Sequence, residues 1–92
     1  MGGYSARKAA EILDNTRKVL AIEMLISAQG LDFSLKRDKP GRGTFAAHKY
    51  IRGSVPFIDR DEFLYPLVQQ TLKLVNDGGV VDAVEAEVGK LA

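Results

Sequence analysis

The run Val19-Leu20-Ala21-Ile22-Glu23-Met24-Leu25-Ile26-Ser27-Ala28 is apolar except at Glu23 and Ser27, and its reading decides the fold. No proline or glycine interrupts the chain between Ser5 and Gly30. One long helix is therefore expected over about 5–30, with Ser5 as N-cap and Gly30 as the stop. In its first half, Ala9, Ile12, Leu13 and Thr16 form one stripe, while Arg7, Lys8, Glu11, Asp14 and Lys18 cover the other side. Past Val19 the polar side disappears. A helix that is apolar all round must be covered all round. The run is too short and too acidic to span a bilayer, which takes about 20 predominantly apolar residues. Protein must supply the cover. At 1.5 Å per residue the helix would be about 39 Å long, against a radius of gyration of about 12 Å for a compact chain of this size.

Outward from that helix, Asp32-Phe33-Ser34-Leu35 leads into a polar loop over 32–43 that holds Lys36, Arg37, Lys39 and Arg42. A short helix is expected over about 44–52, capped by Thr44, carrying Phe45, Ala46, Ala47, Tyr50 and Ile51, and closed by Gly53. Val55-Pro56-Phe57-Ile58 reads as an extended connector, because the residue before proline is pushed out of the helical region. Asp59 with Glu62 has the spacing of a capping box, so a third helix is expected over about 60–76, ended by Gly78-Gly79, with Pro66 marking the end of one turn or the first position of the next helix. Val80, Val81, Val84 and Val88 mark a last helix over about 80–88. No segment combines strict alternation with hairpin turn residues. The expected fold is all-α: one long helix and about three short ones, associating as a helical bundle in a single segment over 1–92.

Composition narrows the function classes. The 92 residues carry a formal net charge of +1, so no strong field steers the chain to nucleic acid or to anionic lipid. There is no cysteine, hence no disulfide, no thiolate zinc site and no thiol nucleophile. A cytoplasmic protein with neither nucleic-acid nor membrane partners is the expectation. His48, the single histidine, has no partner at ligand spacing in Phe45, Lys49 or Tyr50 and reads as a surface or boundary residue. Asp59, Asp61 and Glu62 lack the ladder of a calcium loop and read as capping carboxylates. Gly41-Arg42-Gly43 lacks the preceding strand and the Lys-Ser/Thr pair of a phosphate loop. No catalytic, cofactor-binding or metal-binding residue is assigned. The candidate association surface is Val19, Leu20, Ile22, Glu23, Met24, Leu25 and Ile26. Within it, Glu23 needs a cation or hydrogen-bond donors from another helix or another chain.

The stretch from Asp14 through Asn15, Thr16, Arg17, Lys18, Val19, Leu20 and Ala21 to Ile22-Glu23, followed by Ala28-Gln29-Gly30-Leu31-Asp32, resembles the C-terminal portion of the histidine ammonia-lyases, in the aromatic amino acid lyase family. Gly43-Thr44, Ala46-Ala47, Val55-Pro56-Phe57, Asp59-Arg60-Asp61, Pro66 and the valine-rich last helix are similar in the same order. The resemblance implies that the long helix joins a bundle built by several subunits of a tetramer. It also implies a parent reaction, the elimination of ammonia from L-histidine to give urocanate. That chemistry uses a methylidene-imidazolone group formed from an Ala-Ser-Gly tripeptide, which this chain does not contain. By the same register, the family's nearest active-site glutamate would fall before Met1, and Glu23 does not correspond to it. The chain is thus expected to be inactive alone, with itself or a larger catalytic subunit as partner. A separately encoded subunit, a fragment and a gene remnant acting as an independent self-associating module all fit such a sequence.

Overall fold

The computed structural model describes residues 2–35 and 39–91. Among these the regular structure is helical, with no strand: α1 spans Gly2–Ser34, α2 Arg42–Arg52, α3 Tyr65–Asp77 and α4 Gly79–Val88. α1 packs chiefly along α3, and α2 along α4. The core consists of Leu25 and Ala28 from α1, Ile51 and Val55 at the end of α2, Leu67 and Leu74 from α3, and Val80 from α4. Thr71 is wholly buried beside them and returns its hydroxyl to the Leu67 carbonyl at 2.8 Å.

The long helix is longer than its sequence signals suggest. It begins before Ser5, which therefore stands inside the helix, and it runs through Gly30 to Ser34. A mid-helix glycine costs about 1 kcal/mol relative to alanine. Contacts on both sides of Gly30 offset that cost. Gln29 Nε2 donates to the Ile58 carbonyl at 2.6 Å, and the Ile58 N–H donates to Gln29 Oε1 at 3.1 Å. On the other side, Asp32 is held from α2 by a hydrogen bond from His48 and an ion pair with Arg52.

Two other boundaries differ from the sequence expectation. α2 begins at Arg42 with Gly41 at the N-cap position, so Thr44 lies in the first turn and caps nothing. The Phe45 N–H donates to the Gly41 carbonyl at 2.9 Å. Residues 59–64 are not helical, and Asp59 and Glu62 form no capping box. A helix starting at 60 would place Pro66 in its interior, where the ring removes a hydrogen bond and clashes with the preceding turn. Starting at Tyr65 puts Pro66 in the first turn, where that N–H has no helical partner anyway. The stop at Gly78 stands, and its φ of 72° is the left-handed conformation that closes α3 and opens α4.

The Cα radius of gyration is 15.4 Å and the longest extent 54 Å, well beyond a compact chain of this length. α1 is the cause: residues 2–20 are exposed throughout, so half of the helix projects past the elements that pack on its other half.

Two glycines test this packing in opposite directions. A Cβ at Gly79 would overlap the Tyr50 phenol, 2.6 Å from Cζ, whereas a Cβ at Gly30 meets nothing within 4 Å. Gly79→Ala should destabilise the chain by about 1 kcal/mol and lower Tm by about 4–8 °C. Gly30→Ala should stabilise it by up to about 1 kcal/mol. Thermal unfolding followed by circular dichroism checks both signs.

Candidate functional site

Two features stand out: a polar cluster around Asp32 and an uncovered apolar flank of α1. The cluster forms where the end of α1 meets the end of α2. His48 and Arg52 lie four residues apart, on one face of α2, and both reach the same carboxylate. His48 Nε2 lies 3.0 Å from Asp32 Oδ1 and donates to it, while Arg52 Nε donates to Asp32 Oδ2 at 2.8 Å. Arg52 Nη2 donates to that second oxygen as well. The remaining arm, Nη1, donates to the Val55 carbonyl at 3.0 Å. Phe57 then packs edge-on to Phe33, with ring centroids 5.8 Å apart, and faces the Arg52 guanidinium at 6.0 Å. His48 is buried, and the Arg52 and Asp32 side chains are mostly so.

Both Asp32 oxygens and all three arms of the guanidinium are occupied by structural partners. The cluster therefore braces α1, α2 and the connector together, with the His48 ring also on the wall of a hollow between α1 and α2. Spacing around His48 alone could not reveal it, since the partner lies 16 residues upstream. The available signal was the i,i+4 pairing of His48 with Arg52, which requires an anion opposite that face.

The proposed association residues divide between inside and outside. Leu25 is 5% exposed and belongs to the chain's own core, and Met24 is half-buried against it. Val19, Leu20, Ile22 and Ile26 are exposed, Ile26 by 65%. Glu23 is exposed between them, with no ion-pair partner among the described residues.

The remaining candidates are dispersed. Lys36 and Arg37 of the basic loop lie outside the described residues. Arg42 is paired to Glu87 Oε1 at 3.3 Å and donates to the Glu87 backbone carbonyl at 2.6 Å. Asp59 faces Arg60 at 3.8 Å in an exposed pair, with Asp61 and Glu62 exposed beyond it. Among the described residues, no group of three His, Asp or Glu side chains could hold a metal ion. Among the described residues, no helix is long and apolar enough to cross a membrane.

The chain is all-helical among the described residues, with a projecting helix that its own elements cover incompletely. Comparison with known proteins supplies the class. The family model for aromatic amino acid lyases matches residues 1–53, and the chain belongs to that family. It is 42% identical to the histidine ammonia-lyase of Sorangium cellulosum over 99% of its own length. It is 38% identical to that of Gloeobacter violaceus, also over 99%, and 44% identical to that of Deinococcus radiodurans over 72%. The chain spans only about 18% of the length of the first two relatives and 12% of the third. No solved structure matches it.

Asp32→Asn, which keeps the shape but removes the charge between His48 and Arg52, should cost about 1.5–3 kcal/mol, because buried donors lose an ionised acceptor. Asp14→Asn, which breaks the exposed pair with Lys18, should change stability by less than about 0.5 kcal/mol. Urea denaturation of the two variants measures the contrast.

Proposed function

We propose that this chain is the C-terminal helical portion of a histidine ammonia-lyase-like protein, acting in assembly and in scaffolding an active site carried elsewhere. The observation that carries the reading is the row of exposed apolar side chains on α1, Val19, Ile22 and Ile26, on a helix the chain's own elements cover on one side only. Apolar patches of this kind on a small chain mark contacts with other protein surfaces. Its similarity to histidine ammonia-lyases over nearly its whole length supports the parent chemistry, the elimination of ammonia from L-histidine to give urocanate in histidine catabolism in the cytoplasm.

The residues present do not suit the family's methylidene-imidazolone group. The sequence contains no Ala-Ser-Gly tripeptide, and the buried polar cluster is fully engaged in bracing the helices. The chain alone is therefore read as catalytically silent. Its contribution is the helix surface, with Glu23 as the polar element that sets the register of partners across the seam. Association would place that carboxylate against donors from another chain, since it has no ion-pair partner among the described residues of its own.

Light scattering on the purified chain should give a mass above the 10.1 kDa monomer. The double variant Ile22→Glu/Ile26→Glu should reduce it to the monomer while leaving helix content unchanged, because both side chains lie outside the chain's own core. Histidine incubated with the chain alone should release no ammonia. An unaltered mass in the double variant would remove this helix as the interface, and ammonia release would remove the scaffold reading.

A further inference from the structure

α1 has a second uncovered apolar flank, distinct from the first. One hollow, of about 270 Å³, lies between α1 and α2, with Ser27 and Leu31 on one wall and Thr44, Ala47 and His48 on the other. A second, of about 190 Å³, lies between α1 and the α3–α4 junction, with Leu20, Leu74, Gly78 and Val81 among its walls. Met24 and Val80 line both. The hollows thus adjoin as one trough running from Leu20 to Leu31, about 17 Å or three helical turns. On a helical projection, Leu20, Met24 and Leu31 lie roughly 150° around α1 from Val19, Ile22 and Ile26. One partner helix cannot lie against both.

We infer that this trough seats an apolar helix from the catalytic portion of an ammonia-lyase chain, while the outer row serves association between copies. This rests on the function proposed above and names the partner of a second surface. The trough is walled almost entirely by apolar groups, so an extended segment lying in it would bury unpaired backbone N–H and C=O groups. A helix satisfies its own backbone and matches the three-turn length. The source follows from the family relationship. The Sorangium cellulosum relative aligns with 99% of this chain, yet about four-fifths of its own length lies outside the aligned segment. The occupant is assigned to that remainder. The polar points on the trough are the Ser27 and Thr44 hydroxyls and the His48 ring, whose Nε2 is committed to Asp32. They suit an occupant that is apolar along its length.

The test co-expresses the full chain with the Sorangium cellulosum enzyme lacking the 91 residues that align with it, and measures recovery of the chain on the tagged truncated enzyme. Ser27 and Thr44 are exposed at the trough, so Ser27→Arg/Thr44→Arg obstructs it without entering the core. The expected result is capture of the wild type, at least a tenfold loss of capture for the trough variant, and retained capture for Ile22→Glu/Ile26→Glu. Undiminished capture of the trough variant overturns the inference. If the outer-row variant is the one that loses capture, the proposed function stands and the trough assignment alone fails. No capture of the wild type overturns the inference and the larger-partner reading together. An independent readout uses the absence of native cysteine. In Ser27→Cys, the complex should slow maleimide labelling at least tenfold, with a Ser5→Cys control unchanged. Equal labelling in complex and free chain, or protection arising from the chain alone at high concentration, overturns the inference.

Discussion

The carboxylate of Asp32 is the polar tie between α1 and α2, set beside a core shared by all four helices. α1 packs chiefly along α3 and α2 along α4, so direct contact between α1 and α2 is slight without it. Asp32, on the last turn of α1, takes His48 on one oxygen and Arg52 on the other, and both donors come from α2. Arg52 passes the constraint to the connector through the Val55 carbonyl. Gln29, one turn before Asp32, fixes Ile58 through a pair of bonds between its side-chain amide and the Ile58 backbone. With Val55 and Ile58 placed, the chain re-enters α3 at an angle that returns Leu67 and Leu74 to α1. Removing one member of such a network leaves the others desolvated without partners, which is why its pieces act as a unit.

The apolar balance explains why bracing of this kind matters. Among the described residues, eight apolar side chains are buried, while sixteen large apolar ones are exposed. Small domains bury a limited share of their surface, and here residues 2–20 of the longest helix contribute no side chain to the core. Hydrophobic burial within the single chain is therefore modest, and specific polar contacts carry a larger part of its definition. The exposed pairs, Lys18 with Asp14 and Arg42 with Glu87, add little, because solvent screens them.

Most of the architecture was legible in the sequence because helix periodicity is local. The long apolar run, the stops at Gly53 and Gly78, the extended connector at Pro56 and the valine-rich last helix each depend on a few adjacent residues. What was not legible depended on distant ones. Gly30 reads as a stop until Gln29 and Asp32 are known to be anchored by residues 20 to 30 positions away. Asp59 with Glu62 has the spacing of a capping box, but Pro66 downstream vetoes a helix through that point. His48 looks partnerless because its acceptor lies on another helix. The run from Val19 to Ile26 announces its apolar character, but which side of α1 the chain covers itself, and hence the inward place of Leu25, requires α3.

That division bears on how an assembly containing this chain would form. The side of α1 that carries Ala21, Leu25 and Ala28 is occupied internally and sets the orientation of everything else. The remaining circumference holds two apolar strips too far apart for one neighbour to cover. A helix with three apolar strips is a three-way junction, and its strips need not be filled together. The internal strip can be covered as the chain folds, since its partners lie on the same chain. The outer row and the trough have no cover among the described residues of the chain itself. Glu23 stands within the outer row, where an uncharged side chain would bury more readily. A carboxylate there disfavours pairing with any surface that lacks donors at that height, because the charge would be desolvated unpaired. On the proposed reading, the outer strip would discriminate by polarity and the trough by shape, so that one short chain would direct two neighbours to different sides of the same helix.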